Sequence, residues 1–237
     1  MIMILKKSLV FLSILVLGLQ LTACSTSRNV RLCDYKNITI PEETIIVSDE
    51  DVFMSVQMQM AEKNPEIEMD VLTDDLAKQY FHAACAADVY ETVRAGIAEH
   101  RAYDYAYGVL LNNSLLRTDN QARGDFVQKV MDQINEEAAN AGCTLNEYLH
   151  TELGTTLLEY LNSVGSFYDE FLILQEFIKA EGIEITEEDV DAYLQSLASD
   201  AGVTAEDILE QYVEEIILYS MYLERSYDAL LEYLNYY

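Results

Sequence analysis

The stretch KAEGIEITEEDVDAYLQSLASDAGVTAEDILEQY, Lys179–Tyr212, contains the signals that decide the fold. Thr186 and Thr204 each stand three residues before an aspartate, which is close to the capping-box pattern of a helix start. Gly182 and Gly202 occupy positions suited to the left-handed residue that ends many helices. The stretch therefore predicts consecutive helices separated by tight turns, with no strand between them.

The same signals continue on both sides of this stretch. Ser48 and Thr144 also precede an acidic residue by three positions, and Gly142 marks another helix end. Thr73 and Asp88 are further N-cap candidates. Both prolines of the chain precede residue 66, so the later sequence contains no helix breaker of that kind. Together these signals predict an all-α body with helices over 49–64, 74–84, 88–113, 119–141, 145–152, 156–181, 187–200 and 205–234.

The N-terminal part of the chain has a different pattern. Residues 25–47 are predicted to be a tether that becomes an extended strap, because they contain Pro41 and a run of β-branched residues: Ile38, Ile40, Ile45, Ile46 and Val47. We therefore divide the chain into a leader over 1–23, a tether and strap over 24–47, and a helical domain over 48–237.

The leader has the features of a bacterial secretory signal. Lys6-Lys7 is followed by the apolar stretch Leu9–Leu21, which is short for a membrane span. The sequence Leu21-Thr22-Ala23-Cys24 resembles the bacterial lipobox, in which the cysteine becomes the first mature residue and carries lipid. This resemblance implies lipid attachment at Cys24 and a location at the outer face of the cytoplasmic membrane. The alternative is an ordinary signal peptide in which Cys24 is incidental.

The charge of the chain excludes several classes of partner. The 237 residues include 14 Lys+Arg and 42 Asp+Glu, for a net charge of −28. Such a surface repels phosphate backbones and anionic lipid headgroups, so we expect no nucleic-acid binding and no adhesion through a basic patch. A hydrophobic content of 51% also excludes an acidic disordered tail.

No catalytic or metal-binding motif is recognisable. The sequence lacks the nucleophile-elbow, P-loop, H-E-x-x-H and dinucleotide-binding patterns. Its histidines are too scattered to suggest a metal triad: His82, His100 and His150. We expect the cysteines after Cys24 to be buried and reduced, with one disulfide plus one thiol as the alternative: Cys33, Cys85 and Cys143. The prediction is therefore no catalytic residues, no cofactor and no metal.

Aromatic and methionine side chains are the candidate binding groups. The chain has 17 Tyr and no Trp, and the last predicted helix carries tyrosines at many angles. Such a helix is either buried by its neighbours or presents an apolar surface for binding. The methionines have the same ambiguity, since Met suits irregular cores and adaptable surfaces alike: Met54, Met58, Met60 and Met69.

Four segments resemble the C-terminal chaperone domain of trigger factor, the bacterial nascent-chain chaperone. Lys179–Tyr212 is similar to its distal arm, and AGCTLNEYL, Ala141–Leu149, to its first arm. DYKNITIP and VSDEDV, within Asp34–Val52, resemble the strap and helix that lead into the family's isomerase domain. VLTDDLAKQYF, Val71–Phe81, resembles the return segment. The resemblance covers about residues 34–232.

Two departures from the family decide the implied function. Only Ala61–Asp70 stands where the family has a whole prolyl isomerase domain, which needs roughly 50 residues or more. The ribosome-docking domain is replaced by the leader. SurA- and PrsA-like exported foldases have a similar helical architecture. The resemblance thus implies an extracytoplasmic helical chaperone without isomerase activity and without ribosome docking.

The implied activity is that of an ATP-independent holdase for unfolded or newly exported polypeptides. In the family, two arms and a linker helix form a cradle that encloses a concave apolar surface, and here the arms would be 119–181 and 183–234. The client-facing residues would come from the aromatic helix sides, with about half of them exposed: Phe167, Tyr168, Phe171, Tyr212, Tyr219, Tyr222 and Tyr227. The alternatives are a scaffold lipoprotein for one specific partner and, ranked lower, a residual prolyl isomerase.

Overall fold

A computed structural model describes residues 30–65, 71–211 and 214–236. The leader, Cys24, Met69 and Tyr212 lie outside these residues. The described helices are α1 Asp49–Lys63, α2 Asp74–Leu76, α3 Ala86–Asn113, α4 Asn120–Asn140, α5 Leu145–Thr151, α6 Leu157–Ala180, α7 Glu187–Ala201, α8 Ala205–Gln211 and α9 Glu214–Leu231. The described strands have two residues each: β1 Val30–Arg31, β2 Thr39–Ile40, β3 Leu115–Leu116 and β4 Asn235–Tyr236. The protein is all-α, as predicted.

Most of the predicted helix caps are confirmed, both at helix starts and at helix ends. Thr186 begins α7, where its hydroxyl accepts the Asp189 N–H at 3.2 Å and the Asp189 carboxylate accepts the Thr186 N–H at 2.8 Å. The same reciprocal pair forms at the starts of α1, α5 and α8. Gly142 and Gly202 have φ of 73° and 71°, the left-handed conformation that glycine adopts without a steric penalty.

Two local predictions were wrong. The helix expected over 74–84 is α2 followed by a π-helical turn over Ala77–Phe81, and it ends because His82 has a left-handed φ of 56°. Asp88 is not an N-cap, since α3 already begins at Ala86. Its carboxylate instead accepts the Cys85 N–H at 3.2 Å from within the first turn.

The strap is extended in two short pieces within its described part. β1 pairs antiparallel with β3, through Val30 opposite Leu116, and β2 pairs parallel with β4, through Thr39 opposite Asn235. Single 3₁₀ turns at Tyr35–Asn37 and Glu42–Thr44 separate the extended pieces. The described part of the predicted strap, residues 30–47, thus contains two short extended pieces and two turns that its sequence did not indicate.

The described residues form two compact units. Of the described residues, unit 1 comprises 34–65, 71–110 and 230–236, and unit 2 comprises 30–33, 111–211 and 214–229. A main cluster in the core of unit 1 consists of Val52, Val56, Met60, Leu72, Ala77 and Val89. The larger core cluster of unit 2 consists of Phe126, Val130, Val164, Leu194, Ala198, Ile208, Ile216, Ile217 and Met221. Each core is built from the inward faces of its helices.

The cap of α8 should make stability depend on pH. The Asp207 carboxylate accepts the Thr204 N–H and hydroxyl at 2.8 and 2.7 Å, and these bonds lower the pKa of Asp207. Because the folded pKa lies below the unfolded value of about 3.9, this stabilisation is present above pH 4 and is lost as pH falls through the folded pKa. Asp207→Asn should therefore lower Tm at pH 7, and the difference from wild type should shrink as the pH falls below 4.

Glu206→Gln is the matched control for this measurement. It removes a carboxylate from the same first turn, but Glu206 does not belong to the Thr204–Asp207 pair. We expect a smaller decrease in Tm at pH 7, from the lost interaction with the helix dipole alone. Equal Tm values for the two variants would contradict the role assigned to the cap.

Candidate functional site

The aromatic residues predicted to face clients are packed against one another. All of them except Tyr212 lie in the described part of the chain, on α6 and α9. The Phe167 and Tyr219 ring centroids lie 4.5 Å apart, and those of Phe171 and Tyr222 lie 5.6 Å apart. The two helices that were expected to present opposite sides of an open surface are therefore joined in unit 2 by ring-to-ring contact.

None of these six side chains is fully exposed. Phe171 and Tyr222 are 5% and 9% exposed, and the others are half-buried: Phe167, Tyr168, Tyr219 and Tyr227. The expectation that about half would be exposed was wrong. The reason is that Phe126 of α4 stacks on both Phe167 and Tyr168, at 5.9 and 5.0 Å, and closes the cluster.

Polar tips of the aromatic residues have specific partners inside unit 2. The Tyr219 hydroxyl donates to Glu170 at 3.2 Å. The Tyr148 hydroxyl of α5 donates to Glu137 of α4 at 3.0 Å. Burial raises the pKa of Glu137, and burial together with the Glu137 carboxylate raises the pKa of Tyr148 to about 12. Tyr148 is therefore a neutral donor that fastens α5 to α4.

A shallow cleft lies between α7 and α9 in unit 2. Its volume is about 460 Å³, and it is lined by Asp189, Ala192, Tyr193, Met221, Glu224, Arg225 and Asp228. The Arg225 guanidinium lies 3.3 Å from the Asp189 carboxylate and supplies a cation among the three acidic side chains. Because Asp189 also caps α7, this ion pair fastens the start of α7 to α9.

The exposed apolar side chains occur elsewhere in both units. In unit 1 they include Met54 and Met58 on α1, which are 52% and 60% exposed. In unit 2, Leu158 at the start of α6 is 68% exposed. The remaining exposed large apolar residues are Ile46, Val71, Tyr105, Leu115, Leu157, Val203 and Leu209. These residues are the described apolar surface that is open to a partner.

Two arginines of α3 hold the N-terminal end of α1. Arg94 donates to the Val47 carbonyl at 2.6 Å and to Asp49 at 2.5 Å. Arg101 donates to the Ile46 carbonyl and, at 3.0 Å, to Asp51. These contacts fix how α1 lies on α3, and so they determine which face of α1 is left exposed.

From the sequence, Met54 and Met58 suit a core or a surface equally well, and the structure places both at the surface. The signal was present, because Val52, Val56 and Met60 recur every four residues and mark one buried face. Met54 lies two residues from Val52, about 200° around the helix, and therefore points away from that face. The angular positions of Met54 and Met58 around the helix, relative to Val52, Val56 and Met60, would have predicted that both methionines are exposed.

We also searched the described residues for a metal site, for the predicted state of the cysteines and for membrane-spanning helices. There, no group of three or more His, Cys, Asp or Glu side chains is arranged to hold a metal ion. The expectation of buried cysteines was wrong, since Cys33, Cys85 and Cys143 are all half-buried, and the latter two are free thiols. No helix in the described ranges is long and apolar enough to cross a membrane.

Comparison of the chain with protein-family models, curated proteins and solved structures finds no match. The likeness to trigger factor therefore rests on the sequence segments quoted above.

Proposed function

We propose that this protein is a membrane-tethered, extracytoplasmic holdase, which binds unfolded or newly exported polypeptides without ATP. The observation that carries the proposal is the set of large apolar side chains exposed in both units, among them Met54, Met58 and Leu158. Methionine and leucine side chains can pack against the apolar groups of many different clients, because apolar contacts depend little on direction. The net charge of −28 opposes self-association of a chain that exposes such residues.

Two features of the sequence support the same proposal. The four trigger-factor-like segments come in the family's order, and the lipobox-like sequence before Cys24 implies a lipid anchor in the membrane. The proposed partners are therefore unfolded polypeptides and, through the N-terminal lipid, the outer face of the cytoplasmic membrane. Nucleic acid and the ribosome are not among them, and the proposed activity needs no cofactor.

Suppression of aggregation tests the holdase proposal. The full chain, carried in nanodiscs of zwitterionic lipid, is mixed without ATP with several unrelated enzymes that aggregate on heating. We expect light scattering to fall in proportion to the chain added, up to about one chain per client. Empty nanodiscs are the control, and undiminished scattering at a large excess of the chain would refute the proposal.

The range of clients separates the holdase from its alternatives. A scaffold lipoprotein for one specific partner would leave the scattering of all these enzymes unchanged and would bind only that partner. A residual prolyl isomerase would accelerate cis–trans exchange of a prolyl peptide in proportion to its concentration. We expect instead the uncatalysed rate, with a time constant of tens of seconds or longer.

A further inference from the structure

α1 carries a line of exposed residues that we call the methionine stripe: Glu50, Met54, Met58 and Glu62. They recur every four residues, and all four are exposed. At a rise of 1.5 Å and a turn of about 100° per residue, the two methionines stand about 6 Å apart along the helix, and the two glutamates stand about 18 Å apart along it and about 120° apart around it. The stripe is therefore an apolar centre with an acidic group at each end.

Packing keeps the methionine stripe at the surface. The other side of α1 is anchored by Val52, Val56 and Met60, which are 0–1% exposed in the core of unit 1. The Arg94 and Arg101 contacts described above fix the start of the helix as well. Turning Met54 and Met58 inward would expose these three core side chains and break those hydrogen bonds, so the exposure of the stripe is built into the fold.

The chemistry of the stripe specifies its occupant. Met side chains are unbranched and polarizable, and they adapt to apolar groups of different shape. The acidic ends, on a chain with a net charge of −28, repel a second copy of this chain and an anionic membrane. The same charges attract Lys and Arg that flank an apolar centre.

We propose that the methionine stripe binds cationic amphipathic segments, in which apolar side chains are flanked by Lys or Arg about 18 Å apart. A helical segment of about 12 residues, or an extended one of about 6, spans this distance. The identification of these segments as parts of client polypeptides rests on the proposed holdase function. The complementarity between the methionine stripe and a cationic amphipathic segment does not depend on that function.

Peptide binding tests the stripe directly. The probe is a fluorescent 14-residue peptide with two Lys at each end and a Leu-rich centre, and the comparison probe has Glu in place of every Lys. The full chain is held in zwitterionic nanodiscs, and empty nanodiscs give the background. We expect the cationic probe to bind, with an affinity that falls as salt rises, and the anionic probe to remain unbound.

Substitutions test whether the cationic probe binds at the methionine stripe. Met54→Ser with Met58→Ser should weaken binding of the cationic probe at least about tenfold, because it removes the apolar centre. Glu50→Gln with Glu62→Gln should weaken it less and flatten its salt dependence. The matched control, Glu187→Gln with Glu188→Gln, removes two exposed carboxylates from unit 2 and should leave probe binding unchanged.

The possible failures are distinguishable. The stripe proposal is overturned if wild type does not bind the cationic probe, if the anionic probe binds equally well, or if the methionine variant retains full affinity. Probe binding that depends on the stripe, without suppression of aggregation, would refute the holdase and leave the stripe as a peptide-binding surface. Circular dichroism melting of each variant verifies that it is folded.

Discussion

Replacing Phe171 by alanine is expected to lower the free energy of unfolding by about 3–5 kcal/mol, the usual cost of deleting a buried aromatic side chain. Phe171 is 5% exposed, and its ring stacks on Tyr222 at 5.6 Å. The substitution removes this contact and leaves a cavity between α6 and α9. Since domains are commonly stable by only 5–15 kcal/mol, the loss should be evident in both urea and thermal unfolding.

Leu158→Ala is the control for this result. Leu158 also lies on α6, but its side chain is 68% exposed, so its replacement should change the free energy of unfolding by no more than about 0.5 kcal/mol. If Phe171→Ala were as mild as Leu158→Ala, the aromatic cluster would not be a core. The predicted client-facing role of Phe171 would then regain its basis.

Cys24→Ala is expected to abolish lipid attachment and to release the protein from the membrane or leave it unprocessed. Cys24 lies outside the described residues, and the prediction rests on the lipobox-like sequence before it. Alanine has no sulfur to which a lipid can be joined. The measurement is incorporation of labelled fatty acid in a bacterial host, followed by separation of membrane and soluble fractions.

Cys33→Ala is the matched control, because it removes a cysteine nine residues further along the chain and outside the lipobox-like sequence. It should keep wild-type labelling and wild-type partition into the membrane. Unchanged labelling and partition of the Cys24→Ala variant would show that the protein is not a lipoprotein of this kind. The tethered location would then have to be abandoned, while the holdase proposal would keep its separate test.

Local signals predicted the helix boundaries well. A hydroxyl followed three residues later by an acid satisfies backbone donors within a single turn, so Thr186 and Thr144 could be recognised without knowing the rest of the fold. The helix start at Thr156, whose side chain pairs with Glu159, has the same pattern. It was predicted only as the first residue of the helix range 156–181, and not as a capping residue. The end of the π-helical turn at His82 has no comparable sequence signal.

Long-range contacts could not be predicted in the same way. The last helices carry aromatic residues most of the way round, so periodicity alone does not identify the side of Tyr219 and Tyr222 that is buried. That choice depends on Phe167 and Phe171, which lie about 50 residues earlier on α6. On α1 the structure shows which of two apolar lines is buried, since Val52, Val56 and Met60 pack into the core of unit 1 while Met54 and Met58 are exposed.

The parallel pairing of β2 with β4 affects the order in which the parts of the protein can fold. Thr39 meets Asn235, which the ribosome adds about 200 residues later. Long closures of this kind are slow to form, because the entropy of the intervening chain is lost before the contact is gained. Most of unit 2, by contrast, is the continuous run 111–229. During synthesis the run 111–229 can therefore fold first, and β2 can pair only after β4 has been made.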